Sequence, residues 1–175
     1  MSSRYYLPMR HDIVAKATYN TIIRNKNVKR SLLQEPDRIF KHDNDEFWWD
    51  VPIKTSTNIM HNKPDMVIWN HSEKICTIAE FSCPADINIG KKVKEKTDNY
   101  GPLIRNLQMM YQNYNFKFIP IIIGAMGYIP KTLNRYLKDL ELNQRQSKHL
   151  MRVLQCLSIS GTVKICKKFL KFNIV

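Results

Sequence analysis

The sequence predicts a mixed α/β (α+β) fold: one mixed sheet with an antiparallel hairpin, flanked by helices, in the order α-β-β-β-α-β-α-α. Three observations predict it. Short runs rich in aromatic and β-branched residues, "EFWWDVPIKTS", "PDMVIWN" and "KICTIAEFSCP", follow one another with turn residues between. A near-continuous apolar run, "FKFIPIIIGAMG", stands apart from them after a helical stretch. Helix-period segments occupy both ends. At 175 residues with 43% hydrophobic content, the chain can bury one core and not comfortably two.

Each element has its own signal. Over 10–25, "RHDIVAKATYNTIIRN" puts Ile13, Ala17 and Thr21 on one helical face with Val14 and Ile22 beside it, and Asp12 is a candidate cap. Residues 26–45 are polar and charged, a loop or a short helix. Residues 46–56 read as a strand, with Pro52 at an edge or bulge. The strands at 64–70 and 74–84 are separated only by the turn "HSEK", which implies an antiparallel hairpin. The helical stretch that follows contains Gly101-Pro102, which should kink or split it. Residues 116–127 form a buried strand ended by glycines. A helix spans about 131–140, and a last one covers 144–171, continuous or broken at "SISG". Three segments are expected: an N-terminal helical part (1–45), a core (46–140) and a basic C-terminal helix (141–175).

Charge narrows the function. There are 28 Lys+Arg against 15 Asp+Glu, a net charge of +13, and the pI is near 9.7. That field favours a polyanion, nucleic acid before an acidic membrane surface. Residues 1–34 hold seven Lys/Arg and one acid, Asp12; no acid follows Glu141, while seven Lys/Arg do. A basic surround with an acidic centre suits an enzyme that grips a phosphate backbone and cuts it with bound metal. Cys76, Cys83, Cys156 and Cys166 show no CxxC spacing, and Cys76 and Cys83 read as reduced core residues of an intracellular protein. "MSSRYYLPMRHD" has no apolar core, so no signal peptide is expected, and "FIPIIIGAMGYIP" is too short and too broken to span a bilayer.

Two of the central acids belong together. Asp65 opens one hairpin strand and Glu80 lies near the end of the next, with fourteen residues between them, so a turn at 71–73 brings both to one end of the sheet. Adjacent carboxylates repel unless a cation sits between them. A hard divalent ion is the natural occupant and can activate water for phosphodiester cleavage. Asp50 reads as a third acid near that metal or as an ordinary strand-end acid. Asp86, after a proline, reads as a turn acid. Lys92, Lys96 and Tyr100 are spaced four apart, on one helical face. Lys91 and Lys94 beside them read as a solvated face or as phosphate contacts. His61 reads as a phosphate contact or a structural histidine. Trp48 and Trp49 are candidates for base stacking, one of them for the core.

Pro-Asp followed by a glutamate in an apolar strand resembles the PD-(D/E)xK nuclease core, except that Ser82 stands where the usual lysine would. "WDVPIKTSTNIMHNKPDMVIWN", "ICTIAEFSCPAD", "KKVKEKTDNYGPL", "FIPIIIGAMG" and "LQCLSISGTVKICKKFL" resemble, more narrowly, the restriction-like endonuclease region at the C-terminal end of non-LTR retroelement polyproteins. The likeness runs from about Arg10 to the C terminus. In that family the lysine lies on the following helix in a K-x-x-K-Y pattern. The resemblance implies a PD-(D/E)xK-like sheet and a nuclear, Mg²⁺- or Mn²⁺-dependent DNA nickase, with the element's RNA as a further partner. It assigns Asp65 and Glu80 to the metal, Lys63 to the basic position before Pro-Asp, Lys96 to the first lysine and Tyr100 to the tyrosine. Asn99 replaces the second lysine, which leaves Lys92 or Lys96 to serve and opens the alternative of an inactive DNA-binding remnant. "RHDIVAKATYN" resembles the stretch after a zinc knuckle whose cysteines are missing, so a truncated open reading frame is expected.

Overall fold

The computed structural model describes residues 7–172. It is a mixed α/β protein with a five-stranded mixed sheet and four α-helices: α1 (Leu7–Asn25), β1 (Ile39–His42), β2 (Asp45–Trp49), β3 (Met66–Asn70), β4 (Ile75–Ser82), α2 (Ile89–Met110), β5 (Asn115–Ile122), α3 (Leu133–Asp139) and α4 (Gln144–Phe172). A short 3₁₀ turn at Asp86–Asn88 leads into α2. The strands lie in sequence order, β1 to β5. The first four pair antiparallel. Asn115 N donates to Lys74 O and Ile123 N to Ser82 O, the same step along both strands, so β5 runs parallel to β4 after the α2 crossover.

The hairpin expected at 64–84 is present. Asn70 pairs with Ile75 and Met66 with Ala79. Four sequence expectations need correction. Residues 26–45 contain β1, which pairs with β2 through a tight turn at Asp43-Asn44 where Asp43 adopts a positive φ. The strand placed at 46–56 stops at Trp49 because Asp50 has φ +52°, and the chain then leaves the sheet with Pro52. Asp12 is not a cap: α1 starts at Leu7, and Asp12 pairs with His11 at 3.0 Å. The buried face of α1 keeps Val14, Ala17 and Ile22 from the expected stripe but extends to Ala15, Thr18, Tyr19 and Ile23, with Ile13 and Thr21 half-buried.

The split expected as one outcome at Gly101-Pro102 does not occur, and at "SISG" the continuous alternative holds. α2 is continuous through Gly101-Pro102. α4 is continuous through Ser158–Gly161, where Ser158 Oγ donates to Gly124 O at 2.7 Å. No helix among the described residues is long and apolar enough to cross a membrane.

The chain divides into two compact units. One comprises residues 36–80 and 90–121. Its core joins Val67, Trp69, Cys76 and Ile78 of the sheet to Tyr100, Leu103 and Leu107 of α2, with Ile53 and Phe116. Trp48 joins this core, its ring 5.8 Å from that of Trp69. The other unit comprises residues 1–35, 81–89 and 122–175, and in it α1 packs along α4. Cys76 and Cys83 are buried free thiols; burial pushes Cys83 up to about 11. Asp86 Oδ1 accepts from Met126 N at 3.0 Å.

Candidate active site

The hairpin register decides where the acids fall. Because Met66 pairs with Ala79, the next pair outward is Asp65 and Glu80. Asp65 N donates to Glu80 Oε1 at 2.9 Å. Alternation along β4 turns Glu80 inward, where it is only 1% exposed. A buried carboxylate needs compensation. Lys96, on α2 above the sheet, supplies it: its Nζ donates to Glu80 Oε2 at 2.6 Å. Burial raises the Glu80 pKa and the neighbouring Asp65 carboxylate raises it further, while the Lys96 ammonium and the Tyr100 hydroxyl oppose both.

Tyr100 lies one turn beyond Lys96 and is buried. Its ring stacks on Phe118 at 5.6 Å, and its hydroxyl donates to Lys63 O at 3.1 Å. Burial, followed by the charges of Glu80, Asp65 and Asp50, holds the phenol far above its ordinary range, so it remains a donor. The loop from Asp50 to Pro64 closes the site. Asp50 N donates to Asp65 O at 3.0 Å. Lys63 Nζ reaches Asp50 Oδ2 at 2.7 Å. The His61 ring lies 6.1 Å from that of Tyr100.

One supporting residue went unread in the sequence. Asn106 is 2% exposed, and its amide donates to Ser56 Oγ at 2.7 Å and Thr57 Oγ1 at 3.2 Å, while its Oδ1 accepts from Ser56 N. It pins the loop that carries His61 and Lys63. A polar residue between Leu103 and Leu107 on the apolar face of α2 was the available signal.

Asp50, His61, Lys63, Asp65, Glu80, Lys96 and Tyr100 therefore surround one sheet end within a single compact unit. Lys92 does not join them: its Nζ pairs with Glu95 Oε1 at 2.7 Å. Lys91 and Lys94 are exposed on the outer face of α2. Among the described residues no three His, Cys, Asp or Glu side chains gather closely enough to cage a metal ion. The donor set fits a smaller demand. Mg²⁺ keeps several waters and takes one or two carboxylates, and two converging acids that raise one another's cost of ionisation are such a set. Compared with known proteins, the chain matches no family model and no curated protein.

Proposed function

We propose that this chain is the metal-dependent DNA endonuclease domain of a non-LTR retroelement, a PD-(D/E)xK-like nickase that hydrolyses phosphodiester bonds in the nucleus. The observation that carries the reading is the meeting of Asp65, Glu80 and Lys96 at one sheet end, from two hairpin strands and the helix that follows them. The likeness to the K-x-x-K-Y helix supports it from the sequence. Asp65 and Glu80 would hold Mg²⁺ or Mn²⁺, and the bound ion would polarise the phosphate and lower the pKa of a water. Lys96, beside Glu80, is placed to orient the attacking water. Tyr100 holds the loop through Lys63 O, and Lys63, half-exposed and paired with Asp50, would contact the incoming backbone.

A second reading has its own support. Both oxygens of Glu80 already accept protein hydrogen bonds, and Asn99 stands at the second lysine position. These favour a catalytically inactive DNA-binding remnant. Nicking of supercoiled plasmid in Mg²⁺ or Mn²⁺ separates the two. Metal-dependent nicking is expected in the wild type, with loss in Asp65→Ala, Glu80→Ala and Lys96→Ala. Salt-sensitive binding without nicking selects the remnant, and nicking that survives Asp65→Ala removes the site assignment.

A further inference from the structure

The positive charge is not shared evenly. The unit that carries the acids has 11 Lys/Arg against 10 Asp/Glu, net +1; the unit built on α1 and α4 has 17 against 5, net +12. Nearly the whole excess thus belongs to the unit without the candidate site.

Within that unit the charge is gathered. A concavity of about 610 Å³ at the end of α1 is lined by Arg24, Lys29 and Arg30, with only neutral residues otherwise. A second, of about 430 Å³, is lined by Arg145, Lys148, His149 and Arg152 on one face of α4. The segments that carry them are tied together. Asn25 Nδ2 donates to Glu141 O at 3.0 Å, and Gln146 Nε2 donates to Asn25 Oδ1 at 2.5 Å, so the residues flanking Arg24 and Arg145 are bonded directly. Glu141, the acid between them, is paired with Lys26 at 2.6 Å. Glu35 is paired with Lys16 at 2.5 Å, and Asp139, at the end of α3, is exposed.

We infer that this double basic concavity is a docking surface for the phosphate backbone of duplex DNA, separate from the acid-lined site. One phosphate would need one concavity; two on bonded segments of one basic unit fit an extended polyanion. Neither lining includes Phe, Tyr or Trp, which grooves for single strands use to stack bases. Lys and Arg contacts to phosphate fix position and carry no sequence information. The choice of DNA rests on the nuclease reading; the choice of a duplex backbone rests on the surface.

The test is binding of the full chain to a short duplex of arbitrary sequence in EDTA, read by fluorescence anisotropy across a salt series. EDTA removes any dependence on catalysis. Arg145→Gln/Lys148→Gln/Arg152→Gln is expected to lower the slope of log K against log salt by about three, and Arg24→Gln/Lys29→Gln by about two. The second variant keeps the question open to refutation if the first fails to fold. Wild-type slopes in both folded variants overturn the surface, as does a wild type that binds no duplex. Tighter binding to duplex RNA of the same sequence overturns the choice of DNA. A wild type that binds with the full slope but nicks nothing sinks the nuclease reading and leaves this one standing.

Discussion

At the residue scale the decisive pair is Glu80 and Lys96. A glutamate at 1% exposure costs several kcal/mol when charged, and one ammonium at 2.6 Å is its main compensation. Lys96→Met should destabilise the protein by about 3 kcal/mol at neutral pH, because it leaves a buried carboxylate unpaired. Chemical denaturation at several pH values checks this, since the deficit must shrink on acidification as Glu80 takes up a proton. The sign for the wild type follows from the same linkage. The folded-state pKa of Glu80 is raised above its ordinary 4.5. Between those two values the folded chain binds more protons than the unfolded one, so stability falls as pH rises. Glu80→Gln removes that dependence. Its melting temperature should gain on the wild type as pH climbs above 4.5, and a gap that stays flat would mean that Lys96 cancels the burial cost completely.

At the element scale, the hairpin at 64–84 and its two acids were legible because alternation and a short turn are local signals. The misread elements were those where tertiary packing overrode them. β1 is four residues, "IFKH", with an exposed and half-buried alternation too short and polar to stand out from the loop around it. Gly101-Pro102 sits inside α2 because Tyr100, Leu103 and Leu107 bury against the sheet on either side, and that burial outweighs the missing N–H. "SISG" is a packing surface: a Cβ on Gly161 would lie 2.9 Å from Arg10 Cγ and 3.4 Å from its Cα. Opposite outcomes are therefore expected at two helical glycines. A Cβ on Gly101 meets only the tip of Arg105, at 3.3 Å, so Gly101→Ala should stabilise by about 0.5–1 kcal/mol. Gly161→Ala must push α1 from α4 and should cost about 1–3 kcal/mol. Thermal melts of the two variants decide it, and equal shifts would contradict the packing account. The candidate site was legible in its acids and in the spacing of Lys96 and Tyr100. Lys92 was misjudged because spacing alone cannot reveal that Glu95 competes for it.

At the scale of the whole molecule, the proposed function would divide holding from cutting between units of net charge +12 and +1. Binding through six or more phosphate contacts weakens about 10³-fold or more between 50 and 200 mM salt, because released counterions must be recondensed. The proposed hydrolytic step would depend instead on Asp65, Glu80 and Lys96, and the Glu80–Lys96 pair is buried enough to be little affected by salt screening. For the nickase reading, added salt should therefore raise KM steeply while kcat stays nearly constant, the pattern of lost uniform binding. Single-site plasmid nicking at saturating and limiting DNA over a salt series measures both. A kcat that falls in parallel with affinity would mean that the basic unit's grip on DNA also assembles the acid-lined site, and the two functions could then not be assigned to different units.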